Sequence, residues 1–390
     1  STPAKRSSPG SDGVSARIYS DLAEEQKKRG WDVTVLTSDA SFGGAGKRFP
    51  PREIWRGVKV VRVSRPLFDQ ARPLYRLANS AWMILGWTLC SLRLAPVDAI
   101  VIGSDPAFAP LLALPLRRRF PQAKIVHWCF DLYPEAIEAE GLGRNAARLV
   151  PIAKAMMAKA YRECEGIVDV GPCMRERLLG YGGAARRETI SPWALVEPVA
   201  VSPPDAELRA KLFPGAKLAL LYSGTLGRAH EFQLFLDLAR RCRQRSGNEG
   251  GFCFSCRGLR ERELRAAVTP ADTNIVLAPF IDEAALRVHL EVADLHLLSL
   301  RENWSGLVVP SKFFGSLAVG RPVVYAGPPT SAIATWCNEF DVGFSLTPNN
   351  VDVVAGRLHD LARDSASLTR LQRRAQEVYQ AQFSKRAKND

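Results

Sequence analysis

A lysine and a hydroxyl stand at the start of a short apolar segment in the second half of the chain. Pro310, Ser311 and Lys312 precede the run FFGSLAVG, so the pattern predicts a helix that begins beside Ser311. Ser311 suits the N-cap position, but Lys312 in the first turn opposes the helix dipole unless an anion binds there. These residues indicate an anion site, and a lysine that extends into solvent is the alternative.

A second candidate for anion binding is the segment LYSGTLGRAHEF, which follows an apolar strand. Gly224 and Gly227 would let backbone N–H groups approach a phosphate beside Thr225. Arg228 and His230 would supply charge and hydrogen bonds. The segment matches neither the dinucleotide-binding pattern nor the Walker A pattern, so an ordinary loop with a solvated arginine is the alternative.

Acidic and polar residues follow two strands in the first half of the chain. Asp131, Tyr133 and Glu135 lie in HWCFDLYPE, and Ser104 and Asp105 lie in GSDPAF. Residues at the carboxyl ends of parallel strands line the ligand crevice of a doubly wound sheet. Asp131 is therefore expected to contact a sugar hydroxyl or an attacking nucleophile, and a helix cap is its alternative role.

The composition predicts a globular chain with anionic partners. Its 390 residues are 46% hydrophobic and 24% charged, and the formal net charge is +13. This length is enough for two or three domains with buried cores. The charge favours nucleic acid, acidic lipid or phosphorylated small molecules. Eight irregularly spaced cysteines favour a reducing compartment.

Apolar runs alternate with helical patterns in two series, and each series is typical of a parallel sheet built from βα units. The first series predicts strands at 32–38, 58–64, 98–103, 123–130, 166–171 and 187–192. The second series predicts strands at 217–224, 252–258, 274–280, 294–300, 321–327 and 342–348. Helices in the first half are predicted at 14–29, 74–94, 146–164 and 172–180. The predicted fold class is α/β.

The two series predict an N-terminal domain over residues 1–197 and a C-terminal domain over 217–390. A proline-rich linker with a short helix is predicted over 198–216. Both domains are expected to be Rossmann-like, with ligands in a cleft between them. The helix at 14–29 lacks an apolar strand before it, so the first strand of the N-terminal domain is predicted to be missing.

Apolar and basic residues in the first half favour contact with a membrane surface. The run LANSAWMILGWTLCSLRL is interrupted by Asn79 and Arg93, which makes a span marginal but suits a helix on the bilayer surface. Arg117–Arg119 would add affinity for lipid phosphate. A buried helix and a solvated arginine cluster are the alternatives. The N-terminal segment STPAKRSSPGSDG lacks the apolar core of a secretory signal.

In their order and spacing, these segments resemble the retaining family-4 glycosyltransferases of the GT-B fold. The bacterial subgroup that assembles O-antigen, colanic acid and related exopolysaccharides is the most similar part of that family. The resemblance runs from about residue 13 to 383 and rests on GVSARIYSDLAEEQKKRGWDVTVLTS, SDPAFAPLLA, HWCFDLYPE, LLYSGTLGRAHEF and VVPSKFFGSLAVGRPVV. It implies hexosyl or N-acetylhexosaminyl transfer from a nucleotide diphosphate sugar, expected to be UDP-linked, to a lipid-linked or saccharide acceptor, without a metal or other cofactor.

The resemblance also assigns roles to residues. It implies a donor site formed by Gly224, Thr225, Gly227, Arg228, His230, Phe280, Ser311, Lys312 and Phe313. It implies an acceptor site formed by Gly13, Ser104, Asp105, Asp131, Tyr133 and Glu135. Arg228 and Lys312 would offset the charge that grows on the leaving diphosphate. Asp131 and Glu302 are the other expected catalytic residues.

The sequence departs from the family pattern at two places. Many members carry a pair of glutamates where this chain has Leu307 and Gly315, and many have His-Asp where it has Phe130 and Asp131. A degenerate protein that binds a sugar nucleotide or glycan without transfer is therefore the alternative function. Nucleic-acid binding rests on charge alone and is not expected. A nicotinamide oxidoreductase would need a glycine fingerprint that is missing. The expected location is cytoplasmic, with peripheral attachment to the inner face of the cytoplasmic membrane.

Overall fold

The structure is a computed structural model, and it describes residues 14–40, 48–66, 68, 73–141, 147–183, 186–198, 200 and 202–389. The chain divides into two compact units. The first comprises Ser1–Val170 and Met174–Ile190, and the second comprises Gly171–Cys173 and Ser191–Asp390. The domain limits and the linker drawn from the sequence stay predictions.

The described residues of the first unit contain seven strands. They are β1 (Thr34–Ser38), β2 (Arg52–Trp55), β3 (Val58–Val63), β4 (Ala99–Ile102), β5 (Lys124–Trp128), β6 (Gly166–Asp169) and β7 (Arg186–Thr189). β2 was not predicted, because its sequence REIW lacks an apolar run, and it pairs antiparallel with β3. The six strands predicted for this half are confirmed.

The described strands of the first unit form two sheets rather than the single predicted one. One sheet has the order β1-β3-β2, and the other is a parallel sheet of the order β4-β5-β6-β7. In a doubly wound sheet, the strand before the first helix lies between the two halves. Residues 1–13, where that strand is predicted to be missing, lie outside the described residues.

Helices cover the sheets of the first unit. They are α1 (Val14–Lys28), α2 (Pro73–Ser91), α3 (Ala113–Arg119), α4 (Glu135–Ala139), α5 (Val150–Arg162) and α6 (Pro172–Leu179), the last of which begins in the second unit. α5 carries Pro151 in its first turn, where the missing N–H costs no helical hydrogen bond. No helix within the described ranges is long and apolar enough to cross a membrane.

The described part of the second unit contains one parallel sheet of six strands. They are β8 (Leu218–Thr225), β9 (Gly250–Arg257), β10 (Ile275–Ala278), β11 (Leu295–Ser299), β12 (Val323–Ala326) and β13 (Gly343–Leu346). Their order is β10-β9-β8-β11-β12-β13, so the chain reverses direction across the sheet between β8 and β11. Ligands of doubly wound sheets bind at such a switch point, beyond the carboxyl ends of the strands.

Helices precede, separate and follow the strands of the second unit, as the βα pattern predicts. They are α7 (Ala206–Leu212), α8 (Gln233–Ser246), α9 (Glu261–Ala267), α10 (Leu286–Glu291), α11 (Lys312–Ala318), α12 (Ala332–Phe340), α13 (Val351–Leu361), α14 (Ser365–Val378) and α15 (Lys385–Asn389). The residues of β8 from Leu218 to Tyr222 are fully buried, which explains their continuous apolar run. The α/β class predicted from the sequence is confirmed.

Candidate functional site

The loops that follow β8 and β11 meet at the switch point of the second unit. The Arg301 N–H donates to the Ala229 carbonyl at 2.8 Å. His230 Nδ1 lies 2.9 Å from the Ser299 carbonyl, and the Glu231 N–H donates to Ser299 Oγ at 3.0 Å. These bonds fix the segment that carries Arg228 and His230 beside the end of β11.

Lys312 extends from the first residue of α11 across the end of β8. Its ammonium donates to the Tyr222 hydroxyl and to the Thr225 carbonyl, each at 2.7 Å. The same ammonium lies 4.2 Å from the centroid of the Tyr222 ring. Burial lowers the pKa of Lys312 to about 7. The amino group of Lys312 is thus held at the carboxyl end of β8, where the switch point places a ligand, and an anionic ligand there would favour its charged form.

Gly224 provides the space through which Lys312 passes. A Cβ atom at position 224 would lie 2.7 Å from Lys312 Cε, which is closer than real Cβ atoms approach other heavy atoms. Gly224 also has a φ of +120°, a region that residues with side chains rarely adopt. The absence of a side chain at position 224 therefore allows Lys312 to reach Tyr222 and Thr225.

Ser311 stands at the N-cap position but does not act as a cap. Its dihedrals are φ −62° and ψ −18°, which are helical, and its hydroxyl accepts no capping hydrogen bond from the described N–H groups of α11. A serine cap needs an extended conformation, so the predicted capping role is wrong. Its role in binding a donor stays a prediction.

Phe313 is fully buried and belongs to an aromatic cluster behind α11. Its ring stacks on Trp336 at a centroid distance of 5.6 Å and meets Phe383 at 5.7 Å. Phe314 lies in the same cluster, 5.4 Å from Phe383. The side chain of Phe313 therefore supports the helix that carries Lys312, and a donor contact at this position would come from its backbone.

His230 supplies a hydrogen-bond acceptor rather than the positive charge that the sequence suggested. Burial, and then the charge of Lys312, lower its pKa to about 3, so the ring is neutral near pH 7. If Nδ1 donates to the Ser299 carbonyl, Nε2 of the neutral ring is an acceptor. Arg228 is half-buried in the same loop, and its charge stays part of the predicted donor site.

Three residues that shape this loop were not predicted from the sequence. Arg260 Nη1 donates to the His230 carbonyl at 2.7 Å, and its guanidinium lies 4.8 Å from the Phe232 ring centroid. Ser299 fixes the loop as described above. Tyr222 is the third, and it was detectable: it precedes Gly224 by two positions on a strand, so the two point to the same face.

Phe280 and Glu302 also lie beyond the carboxyl ends of strands. Phe280 follows β10, two strands away from β8, and the Arg257 guanidinium lies 4.0 Å from its ring centroid. Glu302 is exposed and begins the 3₁₀ turn Glu302–Trp304 after β11. Both positions are compatible with the predicted donor site, and both roles stay predictions.

In the first unit, the structure brings together the ends of β4 and β5. Ser104 Oγ accepts hydrogen bonds from the N–H of Phe130 at 2.7 Å and of Asp131 at 3.3 Å. It also donates to the Trp128 carbonyl at 3.3 Å. The hydroxyl of Ser104 therefore holds the turn that presents Asp131.

Asp131 has the most perturbed carboxyl of this turn. Burial first, and then the like charge of Asp105, raise its pKa to about 6. Tyr133 is half-buried, with its ring centroid 6.0 Å from that of Phe108. A carboxylate with a pKa near the working pH is suited to accept a hydrogen bond or a proton from a hydroxyl.

The remaining acceptor candidates have other surroundings. Glu135 accepts a hydrogen bond from the Tyr181 hydroxyl at 2.6 Å and lies 3.8 Å from Lys154 Nζ, with 12% of its side chain exposed. These contacts are internal to the first unit, so an acceptor contact through Glu135 stays a prediction. Gly13 lies outside the described residues.

The raised pKa of Asp131 predicts that kcat/KM falls on the acid side of the pH profile, which is its acid limb. The carboxylate of Asp131 is lost as the pH falls through about 6. If Asp131 contacts the acceptor hydroxyl as a carboxylate, kcat/KM should fall about tenfold per pH unit below that value. Asp131→Asn should remove this limb and leave a low, flat profile.

The melting temperature of Asp131→Asn separates this role from a structural one. Because the fold raises the pKa of this carboxyl, its charged form costs stability at neutral pH, and the neutral amide should keep or raise the Tm. Asp32→Asn, at an exposed position of the same unit, is the matched control and should keep the limb. An unchanged limb in Asp131→Asn would exclude the proposed contact.

The comparisons with known proteins define the fold first. The chain superposes on a crystal structure of HepE from Anabaena in complex with UDP with a TM-score of 0.67 and 13% identity, covering 97% of this chain and 96% of HepE. Identity this low shows the fold alone. The GT-B fold with two Rossmann-like domains, which the resemblance implied, is confirmed.

The sequence comparisons then show what the chain is similar to. Residues 12–193 match the family model described as a glycosyl transferase 4-like domain. The chain is 24% identical over 271 residues to the putative colanic acid biosynthesis glycosyl transferase WcaI of Escherichia coli K12, a match that spans 66% of this chain and 64% of WcaI. It is 23% identical over 340 residues to the probable glycosyltransferase WbjE of Pseudomonas aeruginosa, covering 85% of this chain and 84% of WbjE.

Proposed function

We propose that this chain is a glycosyltransferase that moves a sugar from a UDP-linked donor to a saccharide or lipid-linked acceptor in the synthesis of a cell-surface polysaccharide. One observation carries the proposal: the Lys312 ammonium lies against Gly224 and Thr225 at the switch point of the second unit. The names of WcaI and WbjE and the UDP bound to HepE support the reaction class and the donor.

The chemistry that this site would perform is charge stabilisation. The bond between the anomeric carbon and the diphosphate oxygen breaks, and negative charge grows on the leaving diphosphate. Lys312 and Arg228 would offset that charge, which is the largest catalytic requirement of such a reaction. We propose that the transfer retains the configuration at the anomeric carbon, as the resemblance implies.

The acceptor would bind at the turn of the first unit. Its hydroxyl oxygen forms the new glycosidic bond, and its proton passes to the oxygen of the leaving diphosphate. Asp131, with a pKa raised to about 6, would orient this hydroxyl as a carboxylate at neutral pH. We propose no resident metal, because side-chain cations are available to balance the diphosphate. Action at the inner face of the cytoplasmic membrane belongs to the same proposal.

A thermal-shift screen in EDTA tests the donor. UDP and a UDP-sugar should raise the Tm, whereas GDP and dTDP should raise it less, since a ligand at about a hundred times its Kd adds about 2.7 kcal/mol of stability. Slow hydrolysis of the bound UDP-sugar would distinguish a transferase from a protein that only binds. The proposal fails if no nucleotide sugar is bound or hydrolysed, and a shift that needs added Mg²⁺ or Mn²⁺ would contradict metal independence.

A further inference from the structure

The polarity of α2 is opposite to that of an ordinary surface helix. Such helices bury their apolar stripe and expose their polar residues. The residues of α2 that are almost fully buried are Asn79, Ser80, Met83 and Ser91. Gly86 also faces inward, because a Cβ there would lie 2.5 Å from Val63 Cγ1. Polar and small residues thus take most of the inner face, and Leu77, Leu85 and Leu89 of α2 are left exposed on the outside.

The outer face of α2 carries a continuous apolar stripe. Its members are Tyr75, Trp82, Leu85 and Leu89, and Leu92 follows directly after the helix. They are spaced by three, four or seven positions, which places them on one face of a helix. The three leucines are 57%, 55% and 54% exposed, respectively. A contiguous exposed stripe of this kind marks an interaction site.

Basic residues follow this stripe in the chain and lie on a helix that packs against α2. α2 and α5 both pack against α3 and against the 3₁₀ turn Ala109–Leu112, so α3 lies between them. Arg119 Nη2 donates to the Leu94 carbonyl at 2.7 Å, which joins α3 to the chain after α2. Arg93 and Arg118 are exposed, and the sequences of α2, α3 and α5 contain no Asp or Glu.

The third helix adds exposed apolar residues. Ile152 and Met156 lie one turn apart on α5 and are 59% and 46% exposed. Lys159 continues the same face and is also exposed. An apolar face with cations beside it is complementary to an anionic bilayer, whose headgroups attract Lys and Arg while the acyl boundary takes up Leu and Trp. The cores of protein–protein interfaces are instead depleted of charge.

We propose that the surface formed by α2, α3 and α5, here called the docking face, binds peripherally to anionic lipid bilayers. The leucines of α2 enter the interface between headgroups and acyl chains, and Arg93 and Arg118 contact lipid phosphates. This inference rests on the membrane attachment that the proposed function includes and names the surface responsible for it, and its test does not require sugar transfer. It would bring the first unit, with Asp131, to the surface where a lipid-linked acceptor resides.

Vesicle flotation of the full chain tests the docking face. Wild-type protein should float with vesicles of phosphatidylglycerol and phosphatidylcholine, and much less with phosphatidylcholine alone. Leu85→Ser/Leu89→Ser/Leu92→Ser should weaken partitioning at least about a hundredfold. Arg93→Ala/Arg118→Ala should weaken it about fivefold per arginine, on the anionic vesicles only.

Matched controls separate docking from folding and from catalysis. Ile54→Ser/Leu179→Ser/Leu259→Ser changes three apolar residues that are 75%, 56% and 64% exposed and belong to none of α2, α3 and α5, and it should float like wild type. Both triple variants should keep the Tm and, without lipid, bind UDP as wild type does. The proposal is overturned if wild type does not float with anionic vesicles or if the α2 variant floats equally. It is also overturned if light scattering shows a dimer that the α2 variant dissociates.

Discussion

Lys312→Ala is expected to lower the rate of sugar transfer by about a hundredfold to a thousandfold, which is the usual effect of removing one group that stabilises transition-state charge. The ammonium lies at the end of β8, 2.7 Å from the Thr225 carbonyl, beside the loop of Arg228. The fold should tolerate the change, since the Tyr222 hydroxyl keeps a hydrogen bond to the Thr225 carbonyl at 3.1 Å. Turnover and Tm measured on the same preparations check this expectation.

Two further variants give this experiment its controls. Lys217→Ala removes an exposed lysine of the same unit that pairs with Glu249, and it should leave turnover unchanged. Lys312→Arg keeps the charge but must place a larger planar group against Gly224, so partial activity is expected. A Lys312→Ala enzyme that works within a few-fold of wild type would show that this cation does not serve the reaction.

Gly224→Ala is expected to disable the site through Lys312 without removing a charge. The added methyl group would lie 2.7 Å from Lys312 Cε and would displace the ammonium from Tyr222 and Thr225. We expect a loss of turnover of about a hundredfold, comparable to loss of the charge itself. We also expect a loss of stability of about 1 kcal/mol or more, because φ is positive at this position.

Gly247→Ala separates these two effects. Gly247 also has a positive φ, +63°, but a Cβ there would meet no described heavy atom within 4 Å. It should therefore lose stability without losing turnover, as measured by chemical denaturation and initial rates. If Gly224→Ala loses no more activity than Gly247→Ala, the close approach between Gly224 and Lys312 has no functional meaning.

The sequence was informative wherever one local pattern decided the structure. The strands of the second unit are buried on both faces, so their apolar runs were visible, and the turn at Lys312 was visible because a lysine there conflicts with the helix dipole. β2 was not predicted because the sequence REIW has no apolar pattern, and this strand depends on its pairing with β3.

The features of the site that were not predicted from the sequence depend on contacts between distant segments. The passage of Lys312 past Gly224 joins two loops that are far apart in the chain, and no local pattern encodes their distance. The neutral state of His230 follows from burial and from the neighbouring Lys312, so its residue type alone suggested the wrong charge. Ser311 has the residue type of a cap, but the turn gives it helical dihedrals.

Calorimetric titration of UDP and of uridine into wild type and Lys312→Ala tests most directly whether Lys312 holds a diphosphate. The two ligands share the base and the ribose, so their difference reports on the phosphates alone. We predict that Lys312→Ala weakens the affinity for UDP by about tenfold to a hundredfold, as the loss of a charged hydrogen bond does. The affinity for uridine should not change. Equal affinities of the two proteins for UDP, or equal losses for UDP and uridine, would contradict the site described here.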